Sequence, residues 1–547
     1  MSNQENQLVQ DNQGAARRTL SVASLGCPKN LVDSESMTGR LADAGYLLTT
    51  EEDAVDLFLL NTCGFLRASR AEAEEYIQQA VDQKADGNIK RLVVAGCAVV
   101  SDGEELMKLY PDVDAWISPY DEGKIVEICD ALFSEPAADA PAAEPDAANA
   151  PAAMPTLNVL STAQAAAARL YHTKAKSIPL DDAKRTILTA PHVAYLKIAD
   201  GCDRFCTYCA IPNIRGRYTS KPYETILDEA SRLADSGIRE LVLIAQETTF
   251  WGADLYGKPD LTRLLAALKD RNQFEWIRVL YTYPLFWDKD LTSLFKMEEP
   301  GKTSILPYVD IPLQHCNSEL LKKMNRRVDK VQTEELLARL REEIPDVVLR
   351  TSLIVGFPGE TDAMFQELVD FVDKQRFERA GVFEFSPEPG TPAAKLDGQV
   401  DDKTKARRFE RLYAKQERIS HQFARSFVGK TVDVLLDDRA LADNGEPMSS
   451  VCLGRTRCDA PDIDPVVYVT GRDLVPGELV SCEIVDVNGL DLVAVPADPD
   501  KIYVSKSERR EAHERREARE TKENKKKERR EKREKRYQEQ KRREKKD

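Results

Sequence analysis

Three cysteines, Cys202, Cys206 and Cys209, fall within the stretch Gly201-Cys202-Asp203-Arg204-Phe205-Cys206-Thr207-Tyr208-Cys209. Thiolates separated by three and then two residues can converge on one metal centre without help from the rest of a fold. They supply three ligands, whereas a structural zinc site takes four and is closed. The spacing suits a centre with an open position, such as a four-iron–four-sulfur cluster with one iron free of protein ligands. It also suits a zinc knuckle completed by a distant residue such as His192, and three unrelated thiols remain a third reading.

A second set is spread along the chain. Cys27, Cys63 and Cys97 each follow a strand-like run, at separations of 36 and 34 residues, about one βα unit each. In an open α/β sheet the loops after the carboxyl ends of parallel strands meet in one crevice, so these thiols would converge there. The alternative is a series of small-residue turns, each with a buried cysteine. After Cys27 the chain continues Pro28-Lys29-Asn30-Leu31-Val32-Asp33-Ser34-Glu35. Asn30 is placed to cap the following helix, with Asp33 in its first turn. Cys129, Cys316, Cys452, Cys458 and Cys482 have no metal-like partner spacing and read as ordinary thiols.

The elements that would position these residues are βα repeats. From Thr19 to about Phe133, strand candidates at Thr19–Leu25, Ala54–Leu60, Lys90–Ala95 and Val113–Ile117 alternate with helical patterns such as Asn30–Ala44 and Ala68–Gln83. The alternation returns from His192 to about Ser386. Its strands are Val193–Ile198, Glu240–Ala245, Trp276–Leu280, Tyr308–Ile311, Val348–Ile354 and Gly381–Phe385. Six such repeats predict a partial barrel with its chemistry in the loops after the strands, and the clustered cysteines occupy the first of those loops. Gln246-Glu247, Thr282-Tyr283 and Gln314-His315 end later strands, and Arg350 lies inside the fifth. An arginine within a barrel strand can bind a carboxylate or ribose. As the bland reading, each polar strand end is a satisfied turn or cap.

The predicted architecture is α/β and multidomain. It has a disordered leader (1–18), an N-terminal open parallel α/β sheet (19–133) and an Ala/Pro-rich linker and lead-in (134–190), with a short helix over Ala163–Leu170. A (β/α)6 partial TIM-like barrel with a connector helix follows (191–426), then a small C-terminal β-barrel (427–503) and a charged helical tail (504–547). The leader lacks the apolar core of a signal peptide, and no apolar run approaches the ~18 residues of a membrane span. Eleven cysteines in a long chain without a secretion signal point to a reducing cytoplasm. The net charge of −15 hides an asymmetry: residues 505–547 carry 21 Lys and Arg against 12 Asp and Glu. The 427–503 segment carries 6 against 15. An acidic body is not the footprint of a protein that grips nucleic acid over its whole surface, although the tail could contact RNA phosphates.

Together these features resemble the radical S-adenosylmethionine methylthiotransferases, from Thr19 to Val495 apart from the linker. The Cys202/Cys206/Cys209 motif resembles the family's signature, Cys27/Cys63/Cys97 its N-terminal cluster ligands, and the acidic β-domain a TRAM domain. GCPKNLVDSE, PLQH, RTSLIVGFPGE and GVFEFSPEPGTPA are similar to the branch that modifies ribosomal protein S-twelve. The resemblance implies two 4Fe-4S clusters and S-adenosyl-L-methionine as cofactors, with Tyr208, Gln246, Glu247 and Arg350 as candidate contacts of the latter. It implies that the open iron chelates S-adenosylmethionine, whose cleavage gives a deoxyadenosyl radical. That radical takes a hydrogen from an aspartate β-carbon, sulfur associated with the other cluster bonds there, and a second S-adenosylmethionine supplies the methyl. Implied partners are the ribosomal protein, an electron donor such as flavodoxin or ferredoxin, and ribosomal RNA through the tail. The rivals are a tRNA methylthiotransferase acting on a modified adenosine and a non-catalytic iron–sulfur or zinc protein.

Overall fold

A computed structural model describes residues 18–49, 54–134, 169–173, 175, 177–178, 180, 184–442 and 444–502. The expected leader up to residue 17, the linker between 135 and 168, and the basic tail lie outside them. The chain divides into two compact units, residues 1–426 with 457–465, and residues 427–456 with 466–547.

The first unit begins with a parallel sheet of six strands. Thr19–Ser24 lies between Leu47–Leu48 at the edge and Val55–Thr62, followed by Ile89–Gly96, Ala115–Ile117 and Arg169–Tyr171. Successive side chains face opposite sides of a strand, and the packing follows that period. Leu57, Leu59, Val93 and Ala95 meet the helices Pro28–Asp43 and Ile125–Phe133 on one face. Leu60, Leu92 and Val94 meet Arg67–Ala85 and Cys97–Leu109 on the other. The helices after the first and third strands therefore leave on opposite faces and open a crevice between their loops. Residues 169 and 170, expected in a lead-in helix, are strand instead. Their pairing with Trp116 and neighbours covers an edge that would otherwise expose unpaired backbone groups. The rest of that expected helix lies outside the described residues.

The barrel strands stand close to their predicted places: Val193–Lys197, Glu240–Ile244, Trp276–Val279, Tyr308–Asp310, Val348–Val355 and Arg379–Glu384, all parallel. One short piece, Ser304–Ile305, was not anticipated. It pairs with Trp276–Ile277, and the next strand then pairs with Val348. Pro307 lies at the break, where it has no N–H to give a ladder. Alternation again assigns the faces. Ala194, Leu196, Leu241, Leu243, Ile277, Val279 and Val309 join the apolar layer under the helices Tyr223–Asp235, Leu261–Asp270, Lys330–Glu343 and Asp362–Gln375. Tyr195, Lys197, Glu240, Arg278, Tyr308, Asp310 and Arg350 occupy the opposite register, facing the barrel interior. The connector is the helix Asp402–Arg425, with Asp401 as its N-cap.

The second unit is a closed barrel of five strands: Thr431–Leu441, Pro447–Thr456, Val467–Thr470, Leu479–Asn488 and Asp491–Pro496. Its second strand escaped sequence reading because Met448-Ser449-Ser450 and Gly454 blur the apolar alternation. Among the described residues no helix is long and apolar enough to cross a membrane.

Gly39 sits inside the Pro28–Asp43 helix, where alanine ordinarily stabilises by up to ~1 kcal/mol. Here a Cβ would stand 2.7 Å from the Arg185 Cα and 2.7 Å from the Lys184 carbonyl oxygen. Gly39→Ala should therefore destabilise the protein by about 1–3 kcal/mol in denaturant unfolding; an unchanged or higher midpoint would contradict the close approach.

Candidate active site

Cys27, Cys63 and Cys97 stand at the carboxyl ends of the first, third and fourth described strands of the sheet. Cys27 is the residue before the Pro28–Asp43 helix, and Cys97 opens the helix that follows directly on Gly96. Glycines let these loops close in. A Cβ at Gly26 would lie 2.6 Å from the Cys63 Cβ, and one at Gly64 2.7 Å from the Cys97 carbonyl oxygen. Gly96, at φ +100, lies against Asn61 and Thr62. Burial raises the Cys63 thiol and pushes Cys97 up to about 12, while the Arg215 guanidinium pulls Cys97 the other way. Arg215 Nε donates to the Cys97 sulfur at 3.3 Å.

Cys202, Cys206 and Cys209 occupy the loop after the first barrel strand. Phe205, at φ 50, is held by Asn325, whose side-chain amide donates to the Phe205 carbonyl at 2.9 Å. The Thr207 N–H donates to Met324 O, and Thr207 O accepts from Ala393 N. Burial raises Tyr208, whose neighbours include the Cys206 thiol and the Arg326 guanidinium. Burial pushes Cys202 up to about 12 and raises Cys209 as well. Thiols so raised hold protons at neutral pH, so a metal must displace those protons as it binds. Among the described residues no three Cys, His, Asp or Glu side chains form a site for a single metal ion. Two all-thiol sets fit iron–sulfur clusters by donor chemistry.

The two sets are locked together by buried charge. Arg215 lies 2.7 Å from Asp33 and 3.0 Å from Asp200, and donates to Asn30 at 3.2 Å. Lys197 pairs with Asp33 and lies 3.5 Å from Asp200. Asn30 and Asp33 come from the sheet domain, and Lys197, Asp200 and Arg215 from the barrel. Elsewhere, Glu388 accepts from Arg67 N at 3.2 Å and pairs with Arg70 at 2.8 Å, placing a carboxylate at the amino end of the Arg67–Ala85 helix. A second path joins the cysteine sets over the barrel mouth. Lys29 Nζ lies 3.2 Å from the Tyr281 ring centroid, Thr248 donates to Tyr281 O, and Glu247 pairs with Arg204 in the second cysteine loop.

The expected site residues meet different fates. Gln246 donates to Asp200 at 2.8 Å, while its Oε1, the Glu247 Oε1 and the Arg204 Nη2 are buried without hydrogen-bond partners. Those orphaned atoms fit a polar ligand beside the Cys202 loop. Arg350 receives a carboxylate, but an internal one: Asp310 at 2.8 Å, with Asp464 at 3.8 Å. Asn30 and Asp33 are not caps. Asn30 donates to Leu25 O, and Asp33 faces Lys197 and Arg215, because the helix surface there is packed against the barrel. His192 precedes the first strand, at the end away from Cys202, and so is not beside the motif. His315 is satisfied, accepting from Asn317 N and lying 3.3 Å from Glu360. Tyr283 receives the Arg327 N–H and the Arg326 guanidinium over its ring, and Thr282 donates to Asp310 O. Arg204, Arg215, Arg326 and Lys29 were missed as site residues. Arg204 sits inside the cysteine motif and Lys29 two residues after Cys27; for Arg215 no local spacing gives a signal.

Residues 196–372 match the radical SAM superfamily, residues 19–118 the uncharacterized protein family UPF0004, and residues 428–496 the TRAM domain. Ribosomal protein uS12 methylthiotransferase RimO of Trichlorobacter lovleyi is 39% identical over 88% of this chain and 98% of its own. The protein of the same name from Anaeromyxobacter sp. (strain Fw109-5) is 40% identical over 87% and 93%. Among solved structures, the radical S-adenosylmethionine methyltransferase TsrM of Kitasatospora setae aligns at 16% identity with a TM-score of 0.46, over 69% of this chain and 77% of that one.

Removing Arg215 would leave Asp33, Asp200 and Lys197 in an unbalanced buried cluster. Arg215→Met should cost about 3–5 kcal/mol in urea unfolding of the metal-free protein. Arg215→Lys should recover only part, since one ammonium cannot serve the carboxylates, Asn30 and Cys97 together. A loss below ~1 kcal/mol for Arg215→Met would contradict the linchpin role assigned to this residue.

Proposed function

The chain belongs to the ribosomal protein uS12 methylthiotransferase family, within the radical SAM superfamily, and from that premise we propose that it puts a methylthio group on the β-carbon of an aspartate in the ribosomal protein. The observation that carries the reading is the pair of three-cysteine sets joined through Lys29, Tyr281, Thr248, Glu247 and Arg204.

In this reading Cys202, Cys206 and Cys209 hold one 4Fe-4S cluster with an open iron for S-adenosylmethionine, and Cys27, Cys63 and Cys97 hold another. When bound, the first supplies the electron that cleaves the sulfonium bond, and the second supplies sulfur. The protein's part is placement and exclusion of water. Tyr208 packs beside the apolar cluster of Leu320, Met324, Phe357 and Phe385, giving a firm wall to the cosubstrate site. Gln246 Oε1 and Glu247 Oε1 are acceptors for its ammonium or ribose hydroxyls, and Arg204 Nη2 a donor. Arg350, engaged by Asp310, acts from beneath by fixing the Tyr281 backbone, whose N–H donates to Asp310 at 2.8 Å. The acidic 427–503 segment favours a basic protein over a nucleic acid. A one-electron donor such as flavodoxin or ferredoxin, a cytoplasmic setting and an RNA contact by the basic tail complete the reading.

Intact-mass measurement of the ribosomal protein from cells with and without the gene tests the substrate. A gene-dependent methylthio increment is expected; an unchanged mass, with a methylthio-adenosine lost from tRNA, would replace the reading by the tRNA one. Cys206→Ala should abolish deoxyadenosine formation by the reconstituted, reduced enzyme. Cys63→Ala should keep deoxyadenosine formation measurable and lose sulfur insertion; robust methylthiolation by that variant would overturn the role given to the first set.

A further inference from the structure

Lys29 is 7% exposed, and among the described residues its ammonium has no ion pair and no hydrogen bond; its contact is the face of Tyr281. Arg326, also buried and without a carboxylate among the described residues, donates to the Pro312 carbonyl, and three other cations nearby have carboxylates. Lys197 has Asp33, Arg215 has Asp33 and Asp200, and Arg350 has Asp310. A cation–π contact offsets part of the cost of burying an ammonium, but gives its three donors no acceptor from the protein. Asp310, a carboxylate on the Tyr281 side, is already taken by Arg350 and by the Tyr281 N–H.

The location narrows what could complete Lys29. It is two residues from Cys27, and Tyr281 follows the third barrel strand, whose carboxyl end opens on the mouth. Through the Tyr281 carbonyl, Thr248 and Glu247 the same residue leads to Arg204 in the Cys202 loop. The carbon that receives sulfur must come to this stretch between the two cysteine sets. We propose that Lys29 is the residue that binds the side-chain carboxylate of the target aspartate, holding its β-carbon between the cysteine sets. This rests on the ribosomal-protein reading above. Tyr281, fixed through its backbone by Asp310, acts as the platform that sets the height of the ammonium.

The test compares binding of two peptides that span the target loop of the ribosomal protein, one with the natural aspartate and one with asparagine in its place, by titration calorimetry with the reconstituted enzyme. A lost charge-assisted contact corresponds to about 10- to 100-fold in affinity. The wild type should prefer the aspartate peptide by that factor. Lys29→Gln should bind both equally, and Lys29→Arg should keep the preference in part. Iron content of Lys29→Gln shows whether the variant compared carries its clusters. Equal binding of both peptides by the wild type overturns the assignment even where Lys29→Gln fails to load iron. An undiminished preference in Lys29→Gln does so too, as does a raised KM for S-adenosylmethionine with the peptide preference intact, which would give Lys29 to the cosubstrate's carboxylate. The gene-dependent mass increment, measured on the wild type alone, keeps a failure of this inference distinct from a failure of the parent reading.

Discussion

The buried knot of Asp33, Lys197, Asp200 and Arg215 is the constraint on which the rest of the active site depends. Its members are at most 1% exposed on their side chains, and they come from two βα domains that share one compact unit. Ion pairs so deep gain little net stability, because desolvation consumes most of the Coulomb attraction. What they provide is registry. An apolar interface tolerates sliding, whereas two carboxylates, an ammonium and a guanidinium satisfy one another in one arrangement only. Arg215 extends that registry to the chemistry, since its Nε reaches the Cys97 sulfur while its other nitrogens serve the carboxylates and Asn30. A one-residue shift between the domains would unpair charge and move Cys97 together.

Much of this was legible in the sequence because it rests on local periodicity. The Tyr223–Asp235 and Leu261–Asp270 helices stand where the 3.6-residue pattern puts them, and the barrel strands fall within a few residues of theirs. The cysteine sets were legible for different reasons, one by spacing and the other by falling after successive strands. The strand Arg169–Tyr171 was not legible, since a three-residue edge strand carries no period and exists because the Ala115–Ile117 edge is there to pair with. Asn30 and Asp33 were misread as caps because a sequence shows the helix start but not the barrel that packs on it. Arg350 was expected to contact S-adenosylmethionine, and in the structure its guanidinium pairs with Asp310, 40 residues away in sequence.

The barrel interior shows how charge is tolerated within a parallel sheet. Arg278 and Glu240, on neighbouring strands, lie 2.7 Å apart with neither side chain exposed. Arg278 also donates to the Arg457 carbonyl, Tyr308 to Asp464 at 2.6 Å, and Tyr195 to Asp462 at 2.8 Å. The segment 457–465, counted by sequence with the small β-barrel, thus belongs by its contacts to the first unit. Its acidic residues answer tyrosines and arginines that a TIM-like barrel would more often replace with branched apolar residues.

Backbone strain follows the same geography. Asn272, Asp346, Asp462 and Asp473 take positive φ at turns, as short polar side chains tolerate. Phe205, Tyr281 and Gln314 are bulky residues with the same conformation, and all three lie in loops after barrel strands. Each is held from outside: Phe205 by Asn325, Tyr281 by Asp310, and Gln314 by pairing with Ser352 and Ile354. Strain of about 1–3 kcal/mol per residue persists only where surrounding contacts fix it. Here the carboxylate that fixes Tyr281 is the one that occupies Arg350, so a charge pair inside the barrel determines where an aromatic ring stands at its mouth. The ring in turn carries Lys29, so the position of this buried ammonium is set by residues on three successive barrel strands and their loops, not by the loop of Cys27 alone.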